Sequence, residues 1–228
     1  MTKKIQEHIN EFNKYYEYLV EENSKYNLTS IVERDEAFIK HFEDSIALGK
    51  YIDLNTINTI CDVGSGAGFP SIPLKICYPH LKVTIVEPTM KRVNFMRNVI
   101  SLLNLKDIEV IPGRAEDISK EKSEMFDIVC ARAVANMSQL LELLIGFCKV
   151  NGLVVAYKGD KGREETSQSQ NAIKTLHCEV KDIIEYNLSN LPTTGESAGT
   201  RTLVMFEKKK KTDKKYPRRY AEIKKNPL

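Results

Sequence analysis

Apolar residues at Ile5, Ile9, Phe12, Tyr16 and Leu19 recur at steps of three and four, and this spacing predicts an amphipathic helix near the N-terminus. Phe38, Phe42 and Ile46 predict a second helix over residues 33–49, with Gly49 as its stop. The polar run Tyr26-Asn-Leu-Thr-Ser30 between them reads as a turn. From residue 57 the pattern changes to short apolar runs separated by helical spacing. Thr59-Ile-Cys-Asp-Val63, Lys82-Val-Thr-Ile-Val-Glu87, Ile108-Glu-Val-Ile111, Phe126-Asp-Ile-Val-Cys130 and Leu153-Val-Val-Ala-Tyr157 predict five strands. A helix is expected to open near Phe69 or Pro70, where prolines are tolerated because first-turn N–H groups lack intrahelical acceptors. Met90, Val93, Arg97, Ile100 and Leu103 place another after the second strand, and residues 136–148 a third after the fourth.

Strands alternating with helices predict an α/β fold: an open parallel sheet covered on both faces. The end of the chain breaks this rhythm. Runs near 179–187 and at Thr202-Leu-Val-Met-Phe206 have no helical pattern between them, so they are expected to pair antiparallel. Residues 207–228 read as an exposed tail.

Composition changes this picture in two ways. The chain has 228 residues, 42% hydrophobic and 29% charged, with no apolar run near the roughly 18 residues that span a bilayer. The N-terminal residues show no secretory pattern, so a cytoplasmic protein without a membrane partner is expected. The five cysteines, at positions 61, 77, 130, 148 and 178, and the four histidines have neither disulfide-framework nor metal-ligand spacing, and no metal is expected. Net charge is +3 but uneven. Residues 208–228 hold ten Lys/Arg against Asp213 and Glu222, a local +8 that points to an anionic partner or to a solvated tail.

The candidate chemistry begins at Cys61-Asp-Val-Gly-Ser-Gly-Ala-Gly-Phe-Pro70. Glycines between a strand and a helix let a ligand approach the backbone and the helix N-terminus. The spacing Gly64-x-Gly66-x-Gly68 departs from the dinucleotide Gly-x-Gly-x-x-Gly, with Phe69 in the sixth place. Glu87, ending the second strand, suits a ribose diol, which NAD and S-adenosylmethionine both present. Asp62 discriminates between them, because a carboxylate beside the loop suits a cationic ligand better than a pyrophosphate; its other reading is a loop cap. Pro112-Gly-Arg-Ala-Glu-Asp117 occupies the place after the third strand where methyltransferases address adenine, and Glu116 read alone is a helix N-terminal charge. S-adenosyl-L-methionine is the expected cofactor.

Asn27-Leu-Thr29, His41-Phe-Glu-Asp-Ser45, Asp62–Pro70, Arg114-Ala-Glu116, Ala131-Arg-Ala133, Tyr157-Lys-Gly159, Lys215-Tyr-Pro-Arg-Arg219 and Asn226-Pro-Leu228 together resemble the bacterial RsmG/GidB (glucose-inhibited division protein B) methyltransferases. The tail departs slightly, reading Arg218-Arg-Tyr220 where Arg-Lys-Ala is expected. The resemblance implies a class I S-adenosylmethionine-dependent (Rossmann-like) sheet with an antiparallel C-terminal strand pair and an N-terminal helical extension. The division expected is an extension over 1–50, a methyltransferase domain over 51–207 and a basic tail over 208–228. The implied reaction is methylation of N7 of one guanine in 16S rRNA, presented as RNA, small subunit or assembly intermediate; apart from the resemblance, a monomer is expected.

Cofactor contacts implied by the resemblance are Gly64, Phe69, Ala115, Glu116 and Arg132; Glu87, Asp62 and Gly66 are added from their place in the strand–loop pattern. Guanine N7 carries a lone pair and no proton, so positioning and electrostatics suffice without a general base. The chain lacks the Asn/Asp-Pro-Pro-Tyr element of aminomethyltransferases, and Arg132 stands in its place. Arg132 is a candidate either to bond guanine O6 or to anchor the cofactor carboxylate. Asp44 would favour a cationic product if helix 33–49 folds over the pocket, and Lys158 would meet a phosphate. Lys208, Lys209, Lys210, Lys211, Lys214, Lys215, Arg218 and Arg219 are the candidate RNA contacts. The alternatives are a class I methyltransferase for another RNA, a protein or a small molecule, an NAD-dependent oxidoreductase, and a non-catalytic RNA-binding ribosome assembly factor.

Overall fold

The computed structural model describes residues 2–228. Seven strands form one sheet: β1 (Thr59–Val63), β2 (Lys82–Glu87), β3 (Ile108–Pro112), β4 (Phe126–Arg132), β5 (Cys148–Lys158), β6 (Cys178–Asn187) and β7 (Thr200–Lys208). Their spatial order is β3-β2-β1-β4-β5-β7-β6. The first five pair in parallel, and β7 lies antiparallel between β5 and β6. The order reverses between β1 and β4, so the crevice outside their carboxyl ends is where an open α/β sheet receives ligands.

The central strands are nearly continuous apolar runs because both faces are covered. Alternate residues serve alternate faces. Ile60, Ile128, Cys130 and Val155 join a cluster containing Ile5, Phe12, Tyr15, Phe42 and Phe95. Cys61, Val129, Ala131, Val154 and Ala156 join a second cluster containing Leu140, Leu144, Phe147, Ile173 and Ile223. Helices α1 (Lys3–Glu7), α2 (Ile9–Tyr26), α3 (Arg34–Ala37), α4 (Asp44–Ile46), α5 (Ser71–Cys77) and α6 (Met90–Leu102) supply or flank the first cluster. The second is supplied by α7 (Ala115–Glu121), α8 (Met137–Ile145), α10 (Gln170–Thr175) and α11 (Tyr220–Lys225), with α9 (Gly162–Gln168) packed on α8 and β7 beside it. All five cysteines are buried and free. The edge strand β6 exposes Glu179, Lys181, Asp182 and Glu185, charges that oppose pairing with another sheet.

Two expectations are corrected. Residues 33–49 do not form one regular helix: α3 passes into a wider π-helical turn at Phe38–Glu43, then α4, then a 3-10 turn at Ala47–Lys50. The wide turn buries Phe38, Ile39, His41, Phe42 and Glu43 together, which a single α-helical stripe cannot do.

Nor are residues 207–228 simply an exposed tail. Lys208 is wholly buried, and its Nζ donates to Glu124 Oε1 (2.9 Å), Ile145 O (3.1 Å) and Cys148 O (2.8 Å). It cannot meet RNA while so placed; a buried ammonium needs these partners to offset its desolvation. Arg218 also departs from the expected free contact. Its guanidinium makes a two-pronged pair with the fully buried Glu142, at 2.8 and 2.6 Å, and its N–H adds a third bond to Glu142 at 2.9 Å. Pro217 and Ile223 are buried, so the segment is strapped to the domain.

Candidate active site

β1 ends in a loop whose three glycines all have left-handed φ: Gly64 (+72°), Gly66 (+62°) and Gly68 (+95°). At two of them space also forbids a side chain. A Cβ on Gly64 would lie 2.9 Å from Val134 Cγ2, and one on Gly68 would lie 2.6 Å from Tyr15 Oη. At Gly66 a Cβ would meet nothing within 4 Å, so the loop is open there. Glu87, buried at the end of β2, holds this loop. Its carboxylate accepts from Gly66 N–H (3.2 Å) and Thr89 N–H (3.0 Å), with Arg92 at 3.8 Å.

Asp62 precedes the loop and is fully buried. One oxygen accepts from Ser71 N–H (3.1 Å), capping the start of α5, while Oδ1 has no partner among the described residues. Burial pushes its carboxyl up to about 7, against the opposing effects of Ser71 and Arg132. The loop-cap reading of Asp62 therefore has geometry behind it, and an acceptor oxygen is left over.

Gly64, Glu87, Ala115 and Glu116 converge on a cavity of about 290 Å³, with Arg114, Leu143 and Tyr220 also on its wall. Asp62, Gly66, Phe69 and Arg132 do not line it. Phe69 turns instead toward the N-terminal segment. Its ring stacks on His41 (4.5 Å, 16°) and Tyr15 (5.5 Å, 21°), and Tyr15 Oη donates to Ala67 O. The Arg132 guanidinium lies 5.0 Å over the same ring.

A second cavity, about 470 Å³, opens around Arg132, His41, Asp44, Lys158 and Arg201. The two cavities share Ala133, just past the end of β4 and itself at φ +57°. Arg132 donates to Asp44 Oδ2 (3.1 Å) and Lys40 O (3.1 Å) and lies 3.3 Å from His41 Nδ1. Asp44 is thus brought beside Arg132, as folding of residues 33–49 over the pocket requires. Its other oxygen accepts from Tyr186 Oη (2.7 Å), with Arg201 Nε at 3.8 Å. Lys158 is already paired, donating to Ala135 O (2.6 Å) and Glu165 Oε2 (2.7 Å).

His41, Tyr186 and Arg201 are site residues that sequence reading missed. Burial, and then the neighbouring Arg132 charge, push the His41 imidazolium down to about 3, so the ring is neutral at physiological pH. Burial raises the Tyr186 hydroxyl far above its ordinary value, and Asp44 adds to this. Tyr186 and Arg201 are cross-strand partners in β6 and β7, a pairing that no local spacing announces. Only the presence of His41 in the run His41–Ser45 signalled that it mattered.

Of the basic candidates, Lys209, Lys210, Lys211, Lys214, Lys215 and Arg219 are exposed, with Lys209 paired to Glu207 (2.7 Å) and Glu179 (3.4 Å). Among the described residues no group of three or more His, Cys, Asp or Glu is placed to hold a metal ion. No described helix is long and apolar enough to cross a membrane.

The family model GidB, described as rRNA small subunit methyltransferase G, matches residues 8–191. The chain belongs to this family. Among GidB relatives, ribosomal RNA small subunit methyltransferase G of Bacillus pumilus (strain SAFR-032) is 45% identical over 96% of this chain and 90% of its own. Its namesake in Bacillus subtilis (strain 168) is 44% identical with the same coverage. Among solved structures, M. jannaschii TYW2 in complex with AdoMet superposes with a TM-score of 0.57 at 17% identity, over 78% of this chain and 79% of that one. Precorrin-6y C5,15-methyltransferase from Geobacter metallireducens GS-15 gives 0.52 at 13% identity, over 66% and 79%. These likenesses show the fold: a class I methyltransferase sheet with a helical N-terminal region.

Proposed function

We propose that this protein transfers a methyl group from S-adenosylmethionine to N7 of one guanine in 16S rRNA. The observation that carries the reading is the pair of cavities meeting at Ala133. Glu87, Ala115 and Glu116 stand on one side, and Arg132 with Asp44 on the other. Membership of the rRNA small subunit methyltransferase G family supports RNA as the acceptor.

The residues of the first cavity fit the cofactor. On its wall Glu87 and Glu116 offer acceptors for a ribose and an adenine edge; off the wall, Gly66 leaves open space at the loop and Asp62 Oδ1 lies unpartnered behind it. When bound, S-adenosylmethionine supplies a methyl group on a positively charged sulfur. The chain's own residues hold and orient. Gly64 admits the ligand to the backbone, Glu87 fixes the loop through Gly66 N–H, and Ala115 with Glu116 forms the adenine end of the wall.

Arg132 is fixed by Asp44, Lys40 O and the Phe69 face, so its remaining N–H donors are preorganised toward the second cavity. There it donates to guanine O6 or to the cofactor carboxylate. Asp44, a carboxylate at the same spot, offsets the positive charge that 7-methylguanine acquires. The His41 ring resists taking up a proton, its imidazolium being pushed down to about 3, and Lys158 is committed to Glu165, so neither serves as a general base or a free phosphate anchor. This suits an acceptor with no proton to lose. The exposed Lys210, Lys211, Lys214, Lys215 and Arg219 follow RNA phosphates. Since A-form helices hide the N7 edge, the target guanine is presented in a loop or flipped out. In this reading the protein works as a monomer in the cytoplasm.

The test is methyl transfer in vitro. Small-subunit rRNA from a strain lacking the gene, incubated with the protein and labelled S-adenosylmethionine, is expected to yield labelled 7-methylguanosine on digestion. Label found only on protein, or on a different nucleoside, would overturn the reading.

A further inference from the structure

The C-terminal strap has two anchors, and one residue between them faces the cofactor cavity. Arg218 is fixed by its three hydrogen bonds to buried Glu142, and Ile223 is fully buried in the second core cluster. Between them Tyr220 opens α11 and lines the cavity that holds Gly64, Glu87, Ala115 and Glu116. Its neighbours on that wall are Arg114, which leads into the Ala115–Glu116 pair, and Leu143, next to the anchoring Glu142. The Arg114 guanidinium lies 5.8 Å over the Tyr220 ring, which steadies the ring from one side.

We propose that Tyr220 is a cofactor-binding residue, its ring forming an aromatic wall at the adenine end of the cavity. This rests on the reading that S-adenosylmethionine occupies that cavity. The adenine end is assigned because Tyr220 shares its wall with Arg114 and the Ala115–Glu116 pair after β3. A flat π-system beside a steadied aromatic ring gains a stacking contact that an alanine does not offer. The strap therefore contributes to cofactor affinity as well as carrying exposed cations, and a basic stretch that counts as a tail by charge is partly a piece of the small-molecule site.

Calorimetry with S-adenosylhomocysteine and with 5′-methylthioadenosine, which lacks the amino-acid arm, tests this on the full chain. Tyr220→Ala is expected to weaken both by about 5-fold, a stacking-sized loss. Tyr220→Phe should stay within about 2-fold of wild type, because the ring is kept. Tyr220→Leu, which keeps apolar bulk and guards against a loosened strap, should fall between them, with an unchanged melting curve. Equal binding by wild type and Tyr220→Ala would overturn the proposal. A loss confined to S-adenosylhomocysteine would overturn the adenine placement. Wild-type protein binding neither nucleoside would overturn the cofactor reading itself, and the proposal with it.

Discussion

The first fifty residues and the last twenty-one approach the same crevice from opposite faces of the sheet, and they are held differently. At the N-terminal end the grip is apolar and aromatic. Phe12 lies 4.9 Å from Phe42, and Tyr15 stacks on Phe69 of the glycine loop. At the C-terminal end buried charges do much of the holding, Lys208 on Glu124 and two carbonyls and Arg218 on Glu142, beside the buried Pro217 and Ile223. Apolar anchoring leaves a trace in the sequence, since burying a face requires periodic side chains. Charged anchoring leaves none, because a buried lysine and a solvated one look alike in a run of four.

The largest expected effect tests the apolar end. Phe12→Ala should cost about 4 kcal/mol of unfolding free energy, by removing a buried ring from the cluster under the loop. Denaturant titration showing a loss under about 1 kcal/mol would mean the N-terminal helices are a loose extension. Lys208→Ala comes next, at about 3 kcal/mol, because Glu124 and two buried carbonyls lose their donor. Burial pushes the Glu124 carboxyl up, and the hydrogen bond and charge of Lys208 outweigh this and hold it below its ordinary value. RNA affinity of the folded variant should remain within about 2-fold of wild type, the residue having no access to phosphate. An unchanged midpoint with RNA binding lost would reverse the assignment.

Replacing Lys210, Lys211, Lys214 and Lys215 together should do the opposite. The denaturation midpoint stays where it was, while RNA affinity falls and its salt dependence flattens by about 0.7 in log–log slope for each phosphate contact removed. Equal losses of stability and affinity would show that these lysines also hold the strap.

The pH dependence of stability reads how dry the covered loop is. Asp62 keeps its proton up to about pH 7 in the folded state, whereas the unfolded chain releases it near its ordinary 3.8, so stability falls as pH rises across that window. His41 has the opposite sign. The unfolded ring takes a proton near 6.5 that the folded ring refuses down to about 3, so stability rises with pH between those values. Over pH 4–6.5 the two oppose each other. Asp62→Asn removes the falling limb, and its stability should climb more steeply than wild type over that range in urea titrations. Parallel curves would place Asp62 in contact with water.

Much of the fold was legible because buried parallel strands are continuous apolar runs and their crossovers have helical spacing. Gly64, Glu87, Ala115 and Glu116 share one cavity wall; Glu87 was named from its place at the end of a strand, where topology gathers ligands, whereas Gly64, Ala115 and Glu116 were named as cofactor contacts through the family resemblance. His41, Tyr186 and Arg201 meet around Asp44 and Arg132 from positions far apart in the chain, and their meeting depends on strand register and on the π-helical turn. Neither is written in local pattern. The tail misled because a charge tally counts lysines without asking where each ammonium finds its partners.

Mapping 7-methylguanosine along 16S rRNA in cells with and without this protein tests the central claim most directly. One N7-methylated guanine should vanish on deletion, return with the wild-type gene, and stay absent with Gly64→Asp, whose side chain would collide at the Val134 contact. An unchanged 7-methylguanosine map on deletion, or full restoration by Gly64→Asp, would contradict it.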